Sequence, residues 1–160
     1  SREDEGLAVA LPTHLDLQIV TPDRLVVRER VDEVQIPGSE GYFGVLPGHT
    51  PLLAALAIGE MWYRKGSNKT YISLAGGFAE VLPDGVTILA RIAERADEID
   101  ADRVEAALKR AKERLTASGS EIDYERARVA LAKSLSRLQV LSRIDIGERT
   151  GELKRVRTQG

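Results

Sequence analysis

Two sets of basic side chains in the C-terminal part of the sequence recur at the same spacing and could bind an anion together. Their members stand at positions i, i+7 and i+11: Arg103, Arg110 and Arg114 in one set, and Arg126, Lys133 and Arg137 in the other. On a helix with 100° per residue, each set lies within about 40° of arc. In an antiparallel pair of helices both sets come out on one face. The spacing therefore indicates a basic face suited to an anionic ligand or an acidic partner.

A solvated helix flank is the alternative interpretation, because Arg and Lys commonly border an apolar stripe. The stretch between Arg126 and Arg143 contains no acidic residue. Cations do favour helix C-termini, but that preference fades within one turn and does not explain a stretch of this length. Both interpretations, an anion-binding face and a solvated flank, therefore stay open.

The sequence lacks the residue patterns of the common catalytic sites. It has no Gly-x-x-x-x-Gly-Lys-Ser/Thr loop, no His-Glu-x-x-His pair and no Gly-x-Ser-x-Gly turn. The glycine-rich run 38–44 does not open a helix and is interpreted as a turn-rich loop. His14 and His49 are the only imidazoles, and without cysteine a zinc site would need scattered carboxylates. We therefore predict no catalytic residue and no metal site.

The basic sets must be positioned by two helices that follow a β domain. Between residues 15 and 92, short segments with period-two alternation are separated by turn signals, which is typical of a sandwich or barrel. The predicted strands are 15–20, 25–27, 31–36, 58–65, 69–74, 78–82 and 86–92. Beyond Ile99 the apolar period becomes helical, with Asp100 as an N-cap and Gly119 as a stop. A second helix begins near Asp123, and the two form an antiparallel hairpin.

An apolar seam is predicted to join the two helices. Its members are Val104, Ala107, Leu108, Ala111 and Leu115 on the first helix, and Tyr124, Ala127, Leu131, Leu135 and Leu138 on the second. The charged tail beyond has no periodicity and is predicted to be flexible.

Composition indicates a soluble protein whose two halves have different partners. Hydrophobic residues make up 42% of the chain, and no apolar run approaches the roughly 20 residues of a membrane span. Residues 1–98 hold nine basic and fifteen acidic side chains, whereas residues 99–160 hold fourteen and ten. Opposite charge in the two halves suggests separate protein partners. We expect neither nucleic-acid binding nor direct lipid insertion.

Several motifs occur in the order seen in epsilon subunits of bacterial-type ATP synthases, which the chain resembles over roughly residues 14–141. The motifs are Thr21-Pro22, residues 37–41, Gly-Val-Leu-Pro-Gly-His-Thr-Pro-Leu-Leu at 44–53, Gly59, and residues 76–81. The resemblance implies a fold that is mainly β plus α. It comprises a flattened β-sandwich of about ten strands (14–98) and an antiparallel two-helix hairpin (99–143). An extension (1–13) and the flexible tail (144–160) lie outside the resemblance.

The resemblance also implies a function. Such a subunit is a non-catalytic part of the rotor, peripheral on the cytoplasmic face of the inner membrane. Its sandwich binds the gamma subunit and the c-subunit ring, through a loop that here contains Tyr42, Gly48 and His49. The hairpin either lies folded on the sandwich or rises toward the catalytic alpha/beta head, where it restrains ATP hydrolysis.

Some members of the family bind ATP in the folded hairpin through an Ile/Leu-Asp-x-x-Arg-Ala motif. Residues 99–104 read Ile-Asp-Ala-Asp-Arg-Val, so Val104 replaces the small last residue. The resemblance implies a nucleotide site made of Glu94, Asp100, Arg103, Arg110, Lys133 and Arg137, where Lys133 replaces an Arg. Lysine cannot make the bidentate contact with phosphate that arginine makes. ATP, with or without magnesium, is the implied regulatory ligand, and no cofactor is required.

Two other functions are weighed against this one. A free-standing nucleotide sensor would use the hairpin alone and would have no need of a ring-contacting loop at 38–53. A β-sandwich hydrolase would need carboxylates such as Glu40 and Glu80, but the sequence shows no nucleophile with a base beside it.

Overall fold

The computed structural model describes residues 11–117 and 119–158, with side chains through Ile144. Within these residues, eight strands precede two α-helices. The strands are β1 (Leu15–Val20), β2 (Leu25–Val31), β3 (Glu33–Gly38), β4 (Gly41–Val45), β5 (Leu52–Ala55), β6 (Ile58–Lys65), β7 (Asn68–Leu82) and β8 (Gly85–Arg95). A single 3-10 turn, Ala96–Glu98, leads to α1 (Ala101–Ala117) and α2 (Glu121–Thr158).

The strands form a β-sandwich around one apolar core. Their order is β2-β1-β8-β7-β6-β3-β4, and β5 also pairs with β7. Neighbours are antiparallel except for β1 and β8, which run parallel. Along β1 the side chains of Leu15, Leu17 and Ile19 are fully buried, in the period-two pattern read from the sequence. Aliphatic side chains supply most of this core, as the low aromatic content of 4% requires.

The described residues form eight strands, whereas the resemblance implied about ten. The segments predicted as two strands, 69–74 and 78–82, belong to the single long strand β7. The short strands β5 and β6 lie end to end along it in one register. At the junction, Gly76 and Gly77 have φ of +71° and +111°, a conformation that glycine adopts without steric cost. The glycine pair thus continues the strand instead of ending it.

Two strands were missed: β4, which begins in the glycine-rich run 38–44 predicted as loop, and β5, at Leu52–Ala55, where no strand was predicted. β4 pairs with β3 from Val45↔Val34 to Gly41↔Gly38, and β5 pairs with β7. Hydrogen bonds to a neighbouring strand, rather than local sequence preference, make these residues extended.

Both helices begin at a capping residue. Asp100 Oδ1 accepts a hydrogen bond from the N–H of Arg103 at 3.2 Å, and Ser120 Oγ accepts one from the N–H of Asp123 at 3.2 Å. Each cap satisfies a backbone donor that has no partner within its helix. Helix α1 ends at Ala117, close to the stop predicted at Gly119.

The second helix does not end at 143, where the sequence predicted a flexible tail to follow. Its backbone is helical through Thr158, and residues 159–160 lie outside the described part, as do residues 1–10 of the predicted extension. Much of the segment is Glu, Arg, Lys and Leu, which favour helix. Gly147 and Gly151 each disfavour it by only about 1 kcal/mol. Glycine was therefore too weak a signal for a helix end.

The hairpin is folded onto the sandwich through α2, which packs on β6 and β7. Ser136 Oγ lies 2.8 Å from Ser73 Oγ on β7, in a buried hydroxyl pair. Arg143 Nη2 donates to Glu60 Oε1 on β6 at 3.0 Å, and Glu60 is only 5% exposed. A buried hydroxyl pair and an ion pair thus join the helix to the sheet.

The apolar seam between the helices is narrower than predicted. Val104, Ala111 and Ala127 are buried, but Tyr124 and Leu135 are about half exposed. Helix α2 must face both α1 and the sandwich, so its buried positions are divided between two surfaces. Within the described residues, neither helix is long and apolar enough to cross a membrane.

Candidate functional site

A cavity of about 350 Å³ lies where the end of β8 and both helices meet the linker, the segment 96–100 between β8 and α1. This volume is within the range of small-molecule sites. The lining residues are Glu94, Glu98, Ile99, Asp100, Arg103, Val104, Ala107, Arg110 and Arg137. Three carboxylates and three guanidinium groups thus surround it, together with a short apolar wall.

Arg137 joins α2 to β8 at one side of the cavity. Its Nε and Nη2 atoms donate to the two carboxylate oxygens of Glu94, at 3.0 and 2.7 Å. Both side chains are about three-quarters buried. This bidentate geometry gives a stronger interaction than a single hydrogen bond between neutral groups. Arg137 is therefore committed to Glu94 in this conformation, and the pair holds the hairpin on the sandwich.

Glu98 is held from two sides at the base of the linker. Arg24 on the β1–β2 turn donates to one oxygen, and Arg95 Nε donates to the other at 2.9 Å. Burial of Glu98 acts to raise the pKa of its carboxyl, but the hydrogen bonds and charges of Arg24 and Arg95 outweigh it and lower that pKa. Glu98 thus stays ionised, and its bonds to Arg24 and Arg95 hold the linker against the sandwich.

Arg103 and Arg110 are the two remaining cations of the cavity. They stand seven residues apart on the same face of α1, above the cap at Asp100. Within the described part of the chain neither guanidinium belongs to a salt bridge, whereas Glu94 and Glu98 are both paired. The two arginines are thus available to an anion. Ile99, Val104 and Ala107 provide an apolar wall beside them.

The structure brings together five of the six residues predicted for the nucleotide site. Lys133, the sixth, is not among the residues that line the cavity. The members of the two basic sets also lie in different places. Arg103, Arg110 and Arg137 line this cavity, whereas Arg114 and Arg126 line a different cavity at the hairpin turn. The single basic face predicted from spacing is therefore two separate basic regions.

Glu98 was missed by the sequence reasoning. Its position directly before the Ile-Asp motif was the available signal, but its two arginine partners could not be inferred. Arg24 lies 74 residues earlier in the chain, and only the fold brings the β1–β2 turn to the linker.

The predicted partner residues Tyr42, Gly48 and His49 lie at the surface and are held by different contacts. Tyr42 is 55% exposed. Gly48, at φ +88°, donates its N–H to the carbonyl of Pro83 at 2.7 Å, which ties the loop to the β7–β8 turn. The N–H of His49 closes the loop onto Leu46 at 3.1 Å. The loop is thus ordered by backbone bonds while its side chains stay accessible.

The sandwich also exposes a row of apolar side chains that the sequence reasoning missed. This apolar row consists of Leu25, Val20, Leu89, Phe78 and Ala55, which are cross-strand neighbours on β2, β1, β8, β7 and β5. Leu25, Leu89 and Phe78 are each more than half exposed. A continuous apolar row across five strands is typical of a protein-binding surface.

Comparison with known families covers both parts of the chain. Residues 14–96 match the model described as "ATP synthase, Delta/Epsilon chain, beta-sandwich domain". Residues 97–142 match the model described as "ATP synthase, Delta/Epsilon chain, long alpha-helix domain".

Individual relatives agree with these models. The chain is 55% identical to the ATP synthase epsilon chain of Koribacter versatilis over 106 residues, 66% of this chain and 75% of the relative. It is 49% identical to that of Nitratidesulfovibrio vulgaris strain DP4 over 126 residues, covering 79% and 94%.

Among solved structures, a chain of the Euglena gracilis mitochondrial ATP synthase (OSCP/F1/c-ring) is similar with a TM-score of 0.73 and 27% identity. The similarity covers 82% of this chain and 83% of that one. A chain from the central stalk and c-ring of the Tetrahymena thermophila enzyme shares the fold, with a TM-score of 0.57 and 13% identity, over 82% of this chain and 99% of that one.

Proposed function

The chain belongs to the ATP synthase delta/epsilon family, and from that premise we propose that its hairpin restrains ATP hydrolysis and is held folded by a bound nucleotide. It is an epsilon subunit, a non-catalytic component of the central stalk of the ATP synthase complex. What the proposal adds is regulation of this subunit through the cavity at the base of the hairpin.

The observation that carries the proposal is that sandwich, linker and both helices all line one cavity. Glu94 comes from β8, Arg103 and Arg110 from α1, and Arg137 from α2. A ligand that binds Arg103 and Arg110 beside the Glu94–Arg137 pair binds the folded hairpin and loses its site when the hairpin opens. By linkage it stabilises the folded form by about 2.7 kcal/mol at a hundred times its dissociation constant.

The lining chemistry favours a nucleotide over a free metal ion. Glu94 and Glu98 are paired with arginines, and Asp100 caps α1, so the carboxylates are already engaged. Arg103 and Arg110 offer two cations to phosphate groups. The apolar wall offers a surface to a base, although Val104 leaves less room there than alanine would. ATP, with or without magnesium, is therefore the proposed ligand.

Arg103→Ala is expected to abolish most ATP binding, because it removes one of the two uncommitted guanidinium groups. A hydrogen bond to a charged group contributes about 1.5–3 kcal/mol, which corresponds to a loss of tenfold or more in affinity. The measurement is the change in melting temperature at millimolar ATP. We expect a clear rise for the wild type and little rise for the variant.

Lys112→Ala is the matched control, since Lys112 is exposed on the same helix and is outside the cavity lining. It is expected to keep the wild-type response. If ATP does not shift the wild-type melting temperature, and does not shift that of Val104→Ala either, the nucleotide proposal fails.

Inhibition is proposed to use the cations that the folded state neutralises. Arg137 and Arg143 are paired with Glu94 and Glu60 while α2 lies on the sandwich. When the hairpin rises, both guanidinium groups become available to acidic side chains of the catalytic alpha/beta head. ATP binding and inhibition would then exclude each other, because Arg137 serves both the folded site and the raised contact.

The sandwich is proposed to dock on the gamma subunit through the apolar row, and on the c-subunit ring through Tyr42, Gly48 and His49. Two observations support this assignment: the apolar row is exposed, and the similar chains belong to assemblies containing a c-ring. The position that follows is peripheral, on the cytoplasmic face of the inner membrane. A free-standing nucleotide sensor, the alternative, has no use for the apolar row.

Leu89→Ser is expected to weaken binding to the gamma subunit by tenfold or more, because burying a leucine side chain contributes about 1.5–3 kcal/mol. Folding should change little, since Leu89 is 55% exposed. The measurement is the affinity of the purified chain for the gamma subunit. Leu46→Ser, which removes an equally exposed leucine from the ring-contacting loop, should keep wild-type affinity. Equal losses in both variants would contradict the assignment of the apolar row.

A further inference from the structure

A second cavity, of about 410 Å³, lies between the sandwich and α2. It is lined by Lys69, Thr70 and Tyr71 of β7, Ala96 of the linker, and Val140, Arg143 and Ile144 of α2. None of these residues lines the nucleotide cavity. Its volume also falls within the range of small-molecule sites.

The lining combines the ammonium of Lys69 and a guanidinium paired with a carboxylate, that of Arg143, with apolar walls. Arg143 uses Nε and Nη2 to bind Glu60, and its guanidinium lies 5.1 Å from the ring centroid of Tyr71. The Lys69 ammonium lies 4.1 Å from the ring centroid of Trp62, and in the described part of the chain it has no carboxylate partner. Val140 and Ile144 form the apolar side. A ligand that satisfies both parts needs an anionic group joined to an apolar body.

We propose that this cavity binds a small amphipathic anion, a carboxylate or sulfonate on an aromatic or alkyl body. The anionic group would pair with the ammonium of Lys69, and the body would cover Tyr71, Val140 and Ile144. A fully polar anion would leave the apolar walls uncovered, and a neutral apolar ligand would desolvate the ammonium of Lys69 without pairing it. Because β7 and α2 both contribute walls, such a ligand stabilises the folded hairpin independently of the nucleotide.

The test uses the full chain and two probes, the aromatic sulfonate 1-anilinonaphthalene-8-sulfonate and the alkyl carboxylate decanoate. Trp62 is the only tryptophan and is a neighbour of Lys69, so the bound sulfonate should quench its fluorescence by energy transfer. Decanoate should displace the sulfonate if the alkyl form fits as well. An unchanged signal on adding decanoate restricts the site to aromatic anions.

Lys69→Gln is expected to weaken binding of the sulfonate by about tenfold or more, because one charge-assisted contact is lost. Lys65→Gln is the matched control, since Lys65 lies across the same β-hairpin, pairs with Glu29 and is outside the cavity lining. It should bind as the wild type does, and so should Arg103→Ala, in which only the nucleotide cavity is changed. Equal affinity in Lys69→Gln and Lys65→Gln, or no quenching of Trp62, would overturn the proposal. Loss of sulfonate binding in Arg103→Ala would overturn the independence of the two sites.

Discussion

The double variant Ser73→Cys, Ser136→Cys is expected to form a disulfide that locks the hairpin onto the sandwich and removes its inhibition of ATP hydrolysis. The two Oγ atoms lie 2.8 Å apart. A disulfide needs about 2.05 Å between sulfurs, and the longer carbon–sulfur bonds bring the sulfurs closer than the oxygens are. The natural chain has no cysteine, so only the intended bond can form within it. Because the closed loop is long, the chain-entropy model assigns the bond about 4 kcal/mol.

ATP hydrolysis by the assembled enzyme is the measurement for this variant. Oxidation should raise hydrolysis to the level of an enzyme without an inhibitory hairpin, and a reducing agent should return it to the starting level. Each single cysteine variant serves as a control that cannot close the bond within one chain. If hydrolysis stays unchanged after complete oxidation, the hairpin does not need to leave the sandwich in order to inhibit, or it does not inhibit.

Gly77→Ala is expected to prevent stable folding of the sandwich. A Cβ atom at this position would lie 1.9 Å from the backbone carbonyl oxygen of Leu89, and φ is +111°, a value that residues with a side chain rarely adopt. The contact is with backbone of the adjacent strand, so no side-chain rotation relieves it. We expect a loss of more than about 3 kcal/mol, which is a large part of the stability of an ordinary domain.

Gly76→Ala is the matched control for that prediction. Its φ of +71° is also positive, but the nearest atom to a new Cβ would be in the flexible side chain of Arg91, at 3.4 Å. The expected cost is about 1–2 kcal/mol from the left-handed backbone alone. Urea unfolding of both variants measures the difference. Similar midpoints for the two would show that the close approach of β8 to Gly77 is not what requires glycine there.

The elements could be predicted from the sequence wherever the local pattern and the final packing agree. The alternation in β1 and the cap at Asp100 are of this kind. The cap at Ser120 was not predicted, because the sequence pattern placed the start of the second helix near Asp123. The pattern failed where a neighbouring strand determines the structure. β4 and β5 are strands because β3 and β7 hydrogen-bond to them, and neither the glycine-rich sequence of β4 nor the short Leu-Leu-Ala-Ala sequence of β5 indicates this.

The candidate site could be predicted in part for a similar reason. Arg103 and Arg110 share a helix, so their spacing placed them correctly relative to each other. Arg137 and Glu94 were named through the resemblance, but nothing in the sequence indicated that they bind each other. Lys133 was expected in the cavity and does not line it. Helical spacing gives the direction of a side chain on its own helix, but not how deep the helix lies on the sheet.

The serines of the α2 face could not be recognised as buried. Ser134 and Ser136 are 1% and 5% exposed, although serine is mostly found at protein surfaces. Ser136 lies on the sheet side, where its small side chain allows a close approach and its hydroxyl group is hydrogen-bonded to Ser73. Ser134 lies about 200° around the helix from Ser136, and its hydroxyl group is hydrogen-bonded to the carbonyl of Ala130. An apolar pattern therefore finds the α1–α2 seam but not the contact with the sandwich.

The parallel pairing of β1 with β8 determines how early the sandwich can fold while the chain is being synthesised on the ribosome. Most strand pairs join neighbours in sequence, whereas this pair joins the first strand to the last. A nascent chain can form its hairpins early, but it cannot close the sandwich until β8 has left the exit tunnel. Helix α2 is synthesised later still, so it meets an already completed docking surface. The hairpin is thus added after the sandwich during biosynthesis, and it is also the element proposed to detach.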